Sequence, residues 1–296
     1  MSKVDVVGVG LALYSNGTFT ESAYNAQTLQ SFNTNGFTVG SNGDVNTNTN
    51  SLVGWQWQAG QGSTSSNTSG SITSTVSVNT TAGFSVVTYT GTGANATVGH
   101  GLGVAPKMII IKNRGPSTWD WIVYHASLAN TQYLFLNTTA AAGTAATVWN
   151  STSPTSSVFS LGSAGTPNNS GNGYVAYCWA AIPGFSAFGS YTGNGSTDGP
   201  FSYFGFRPKF VMIKNVTTAG YPWVILDSVR NTYNPENLEL YPNTSGAEAS
   251  GGTTYIEDFL SNGFKVRQTD ATFNASGSTY IYAAFAENPF KNSNAR

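Results

Sequence analysis

The chain repeats itself, and that constrains its fold more than any other feature. Tyr89-Thr-Gly-Thr-Gly93 returns as Tyr191-Thr-Gly-Asn-Gly195. Ala105-Pro-Lys-Met-Ile-Ile-Ile-Lys-Asn113 returns as Arg207-Pro-Lys-Phe-Val-Met-Ile-Lys-Asn215, and Trp121-Ile-Val123 as Trp223-Val-Ile225. All three pairs share an offset of 102 residues. Further on, Phe159 matches Phe264, and Tyr174-Val-Ala-Tyr-Cys-Trp-Ala180 matches Tyr280-Ile-Tyr-Ala-Ala-Phe-Ala286, so small loop insertions stretch the offset. A self-similar period of this kind marks one supersecondary unit used more than once.

The N-terminal segment joins the pattern late. Leu11-Ala-Leu-Tyr-Ser-Asn16 matches Leu238-Glu-Leu-Tyr-Pro-Asn243, and Asn35-Gly-Phe-Thr-Val39 matches Asn262-Gly-Phe-Lys-Val266. Trp55-Gln-Trp57 falls where Tyr177-Cys-Trp179 and Ala283-Ala-Phe285 fall. Residues 1–60 therefore read as the second half of a module, lacking the part equivalent to about 186–227.

Each module reads as short strands. Met108-Ile-Ile-Ile-Lys follows Pro106, which can begin a ladder but not continue one. Trp121-Ile-Val-Tyr, Tyr133-Leu-Phe-Leu, Val158-Phe-Ser-Leu and Tyr174–Trp179 follow, separated by Gly, Asn, Ser and Pro clusters. Such spacing predicts a sandwich or barrel. The expected fold is all-β, with tandem β-sandwich-like modules in two full copies plus an N-terminal half copy. The boundaries are a half module at 1–60, a Ser/Thr-rich connector or strand at 61–82, and full modules at 83–183 and 184–296. Short helical turns are expected at 140–146 and 253–260.

Composition agrees with strands and removes several function classes. Thr, Val, Tyr and Phe suit a pleated surface, and helix formers are scarce. Charged residues make up 8% of the chain and the net charge is −1, so there is no electrostatic footprint for nucleic acid. No apolar run is long enough for a spanning helix, so no membrane insertion is expected. A single cysteine, Cys178, cannot form an intrachain disulfide. Met1-Ser2-Lys3 opens no signal peptide, so an extracellular role implies release by lysis.

Catalytic chemistry needs convergent titratable groups. The two histidines, His100 and His125, align with Ser202 and Asp227 in the second copy, which makes them turn or core-edge residues. Gly99-His-Gly-Leu-Gly103 lacks the Lys and Ser/Thr of a phosphate loop. Asp44 among Asn42, Asn46, Asn48 and Asn50 alternates oxygen ligands but holds too little charge for calcium. Glu236, Glu239, Glu248, Glu257 and Asp258 are scattered, and none can be paired across a sugar bond. The expectation is no enzyme, no catalytic residue, no metal and no cofactor. Tryptophans at repeated columns read as core. Trp119 and Trp149 have no partner in the second copy and are the candidate glycan or receptor contacts.

At these repeats the sequence resembles a known family. Gly83-Phe-Ser-Val-Val-Thr-Tyr-Thr-Gly-Thr-Gly93, His100–Asn113, Tyr124-His-Ala-Ser-Leu128, Val158-Phe-Ser-Leu-Gly162 and Phe285-Ala-Glu-Asn-Pro-Phe290 carry the likeness. They are similar to a repeated domain of unknown function in virion proteins of aquatic tailed bacteriophages. The resemblance implies a structural protein on the virion surface, a tail fibre or tail-associated appendage contributing to host attachment. Capsid-surface decoration or a head fibre is the alternative, and a glycan-depolymerising enzyme is the lesser one. The implied partners are other virion proteins, further copies of the chain in a homo-oligomer, and a host surface glycan.

A sheet lacking its first strands leaves open edges that another chain can cover. Two arrangements are open for residues 1–60. Another subunit completes them by strand addition, with Val4, Val6, Val7, Leu11 and Leu13 as assembly contacts. Alternatively they pack on the 61–80 stretch and complete a domain in cis.

Overall fold

A computed structural model describes residues 4–8, 10–23, 27–116, 118–250 and 257–289. Among the described residues nearly all regular structure is β, with three one-turn helices. The first copy builds its sheet on Met108–Asn113 and Gly173–Trp179, which pair along their whole lengths. Ile122–His125 and Gln132–Phe135 extend the sheet on one side, and Phe84–Thr90 on the other. The second copy repeats this order: Val224–Asp227, Pro208–Asn215, Thr279–Ala286, Ser186–Thr192. The registers match as well, with Ile110 opposite Tyr177 in one copy and Met212 opposite Ala283 in the other. The long β-branched and aromatic runs lie in the middle of each sheet, where both faces are covered.

The repeated tyrosines explain why the copies fold alike. Tyr89 stacks on Tyr174 with centroids 5.1 Å apart, and Tyr191 stacks on Tyr280 at 4.9 Å. The Tyr89 hydroxyl donates to the Pro167 carbonyl at 2.7 Å, and the Tyr191 hydroxyl to that of Phe273 at 2.8 Å. Each buried ring thus satisfies its polar end, as burial of a phenol requires. Asn168 and Asn274 hold the facing loops through matched amide bonds. Gly91 and Gly193 sit at matched positions where a Cβ would strike the carbonyl oxygens of Asn169 and Ala275.

Each sheet has two covered faces. The outer face of the first is covered by Ala96–Gly99 paired with Val158–Leu161, and that of the second by Phe201–Tyr203, Gly263–Val266 and Glu257–Leu260. The inner faces meet in one common core. That core also takes the N-terminal segment, so matched positions from three stretches converge: Leu13, Leu134 and Leu240, and Trp57, Trp179 and Phe285. Trp57 lies edge-on to both Trp179 and Phe285, at 6.1 and 5.4 Å.

Residues 61–82 hold strands Ser65–Asn67 and Ser74–Asn79, and the second pairs with Phe84–Thr90. Its far end also meets residues 58–60, where the Asn79 amide donates to the Gln58 carbonyl at 3.3 Å and the Ser77 hydroxyl to that of Gly60 at 3.4 Å. Three expectations need adjustment. The turn expected at 253–260 is a strand over Glu257–Leu260, which the two-residue loop Ser261-Asn262 joins to Gly263–Val266 as a hairpin, while 253–256 lie outside the described residues. The helical turn near 140–146 sits later, at Ala146–Trp149. The N-terminal half also begins one strand earlier than its motifs imply. Val4–Gly8 pairs with Leu11–Tyr14 in the register that Ile122–His125 adopts with Gln132–Phe135.

Candidate functional site

The joints between stretches are the most elaborately built part of the molecule, and each follows one rule. The buried indole of Trp121 donates to the Tyr14 carbonyl at 2.9 Å, and that of Trp223 donates to the matched Phe135 carbonyl at 2.9 Å. The Lys112 ammonium donates to the Trp119 and Thr18 carbonyls, and Lys214 donates to those of Tyr221 and Thr139. Both lysines are fully buried, and burial pushes each down to about 8, with Asp120 opposing the shift at Lys112. Arg114 adds a two-pronged ion pair to Glu21, at 2.7 and 3.0 Å. A third joint runs from the second copy back to the N-terminal segment. There Ser15 donates to the Pro242 carbonyl at 2.8 Å and the Trp55 indole donates to Asp227 at 3.3 Å.

Residues 51–59 complete the picture. Val53, Trp55, Trp57 and Ala59 pack on the common core, while residues 52, 54, 56 and 58 are exposed. This is the two-residue alternation of a strand with one face buried. Yet among the described residues, the backbone of 51–59 makes no backbone–backbone hydrogen bond.

The assembly residues named from sequence fall here. Leu13 is buried in the common core and Leu11 is half-buried. Val4, Val6 and Val7 belong to strand Val4–Gly8, and their side chains lie outside the described part. The two receptor candidates part company. Trp149 does not present its ring at the surface: it is 2% exposed, packs edge-on to Tyr124 and donates to the Gln132 carbonyl at 3.0 Å. By the offset of Phe159 and Phe264, the position matched to it is Thr254, which lies outside the described residues. Trp119 is half-buried, with its ring edge beside Gly165.

The histidines are structural. His100 and His125 each accept a backbone N–H at Nδ1, from Leu102 and Ser127, which leaves the proton on Nε2. Nε2 then donates to the Thr155 carbonyl in one case and to the Tyr282 carbonyl in the other, both at 3.1 Å. Burial lowers both, His125 to about 4, so the His125 ring is neutral at pH 7. Burial pushes the Cys178 thiol up to about 12, which makes it a small apolar core residue. Asp44 accepts from the Tyr14 hydroxyl at 3.0 Å, and Asn42 caps the Asp44 N–H. Among the described residues no group of His, Cys, Asp or Glu is spaced to hold a metal ion. The groove beside Gln58, Gly60, Val78 and Asn79 carries no titratable side chain.

One cluster escaped the sequence. Glu236, Glu239 and Glu257 are all buried in the second copy, where Glu236 and Glu257 exchange backbone hydrogen bonds. Burial pushes Glu236 up to about 8 and Glu239 to about 7, and raises Glu257 well above the carboxylate range. Glu239 accepts from Tyr241 and Glu257 from Gln268, while neither Glu236 oxygen has a partner among the described residues. Only the pairing of 236 with 257 brings these acids together, and spacing along the chain does not reveal it.

No helix among the described residues is long and apolar enough to cross a membrane. No curated protein and no solved structure matches the chain. Residues 2–289 match a family described as a domain of unknown function (DUF7483).

Proposed function

For a chain that belongs to this family across almost its whole length, we propose the role of a structural protein on the surface of a tailed-phage virion. It acts there in a tail fibre or tail-associated appendage that contributes to host attachment. In this reading the chain is two full modules and an N-terminal half module, closed around one core, and it works with other virion proteins and further copies of itself.

The observation that carries the reading is the construction of the N-terminal segment. It is tied into both full modules by Trp121, Lys112, Arg114 and Ser15, and strand Val4–Gly8 lies at the edge of its three-stranded sheet. A segment fixed at one side and open at the other suits attachment to a neighbour. Buried His100, His125, Lys112 and Lys214 each hold a loop or a joint in place, which supports a non-catalytic role. Trp119 is the remaining candidate for stacking on a host glycan.

The test is immunogold labelling of purified virions of a phage that encodes the chain, with mass spectrometry of the same particles. Label on the tail or appendages is expected. Its absence from washed particles, with the chain recovered only from the lysate, would sink the reading.

A further inference from the structure

The two full copies differ at one edge. In the first, Phe84–Thr90 is paired on both sides, by Gly173–Trp179 and by Ser74–Asn79. In the second, the matched strand Ser186–Thr192 pairs with Thr279–Ala286 and, among the described residues, with no strand on its other side. Phe185 accepts from the Ala286 N–H and Gly193 donates to the Ser278 carbonyl, so the odd-numbered residues face Thr279–Ala286. Phe188, Ser190 and Thr192 then turn their backbone N–H and C=O groups outward. Burial follows the same difference. Val87 is buried and Thr88 half-buried, whereas Gly189 and Ser190 in their places are half-buried and exposed.

The surface beside the edge differs too. In the first copy the hairpin lies over Gly99 and Gly101, where an added Cβ would strike the side chains of Asn67 and Val78. At the offset of 102 these positions become Phe201 and Tyr203, which are 43% and 66% exposed. A strand laid along Ser186–Thr192 passes beside both rings, and the rings exclude a hairpin seated as in the first copy. Nor is that hairpin free to cover another edge, since Ile72 and Val76 are buried in the first copy's core.

We propose that this edge pairs with the same edge of a second molecule of the chain, antiparallel about a two-fold axis at Gly189. Phe188 then stands opposite Ser190 of the second molecule, each exchanging its N–H and C=O with the other. One patch meets itself, which closes the assembly at two molecules. The segment Phe185–Thr192 carries none of the devices that keep strand edges apart: it has no charged residue, no proline and no bulge in its register. The strand therefore meets itself without like charges, and a net charge of −1 hardly opposes the approach. Gly189 falls at the axis, where facing Cα atoms come closest, and within each molecule the Tyr282 ring occupies the space over it. Phe201 and Tyr203 of each molecule border the seam. Pairing joins two four-stranded sheets into one of eight, the number that the first copy reaches with its own hairpin. This deepens the assembly role proposed above and rests only on its claim that molecules of the chain associate.

The experiment is sedimentation equilibrium of the full chain over a wide concentration range, with amide hydrogen exchange read at both ends of it. A dimer is expected, with exchange at Phe188 and Ser190 slowed by at least about tenfold as it forms. Exchange at Ser65–Asn67, an end strand of the first copy's sheet, should not change. Ser190→Pro removes one outward donor from each molecule and leaves the pairing of residues 189 and 191 with Thr279–Ala286. Two ladder bonds are lost per dimer, so association should weaken by about thirtyfold. Tyr203→Asp leaves the ladder untouched and sets like charges beside the seam, and it should weaken association by about tenfold. A chain that stays monomeric up to about millimolar concentration would overturn the proposal. So would a dimer whose Phe188 and Ser190 amides exchange as in the monomer. Growth past two molecules with protection at Ser65–Asn67 would mean a head-to-tail contact and would also overturn it. If a peptide of residues 72–79 protects the edge of a chain that stays monomeric, a foreign strand is the occupant and a second molecule is not. All of this is read on the isolated chain, so failure here leaves the virion location to its own test.

Discussion

The Trp223 indole N–H donates to the Phe135 carbonyl at 2.9 Å, across the boundary between the two full copies. Trp121 makes the same bond to Tyr14, the residue matched to Phe135. A single bond type, used twice, joins each stretch to the one before it. The joint also explains why tryptophan recurs at this column: the position needs a large apolar ring with one donor at its edge.

Replacing either indole with phenylalanine tests the joint. Trp223→Phe keeps most of the apolar area and strands a buried carbonyl. The expected cost is about 1–3 kcal/mol. Trp121→Phe should cost about the same, because its partner is matched. Urea unfolding of both variants checks this, and a several-fold difference between the two costs would break the equivalence.

The buried acids predict a pH dependence of stability. Glu236 rises from 4.5 to about 8 on folding, so the native state holds a proton that the unfolded chain has released. Stability is then fully present below pH 4.5, declines as pH rises, and levels off above about 8. Glu236→Gln should flatten that decline and raise the melting temperature at pH 8, with little change at pH 4.5. Calorimetry across this range reads it directly, and a wild-type stability that climbs over the window would contradict it.

The two unpaired tryptophans should behave differently. Trp149→Ala empties a fully packed site and should destabilise by about 3–5 kcal/mol. Trp119→Ala should leave the fold largely intact. If a host glycan stacks on this protein, its binding should fall with Trp119→Ala in a fluorescence titration. Unaltered glycan binding in that variant would remove Trp119 from the site.

Matched glycines offer a further check. Gly91→Ala and Gly193→Ala each push a methyl against a backbone carbonyl that cannot give way easily. Each should lose about 1–3 kcal/mol. Gly171→Ala, where nothing stands near the added atom, should cost only its left-handed backbone strain, since its φ is 78°.

The parts legible in the sequence are those carried by local pattern. Tyr89 with Tyr191, Lys112 with Lys214 and Trp121 with Trp223 announce the repeat, because each performs the same local task twice. Alternation of apolar residues gives the strands. What pattern cannot give is the relation between copies. Trp55 and Trp57 read as core, but nothing nearby says that their core is shared with Trp179 and Phe285. Trp149 looked like a surface ring only because its counterpart is missing, which is silent about burial. The acids at 236, 239 and 257 meet through a long-range pairing, and Val4–Gly8 became recognisable as a strand of the module only from its register with Leu11–Tyr14.

We propose that the N-terminal segment, with Val4–Gly8 at the edge of its three-stranded sheet, is where the chain attaches to a virion. Cryo-EM reconstruction of the intact particle tests it most directly. The account predicts density for this fold on the particle surface, with Val4–Gly8 and 51–59 turned toward the neighbouring protein and continuous β density beside both. A particle in which those strands face solvent, bare on their free edges, while the chain is held through its second copy, would contradict it.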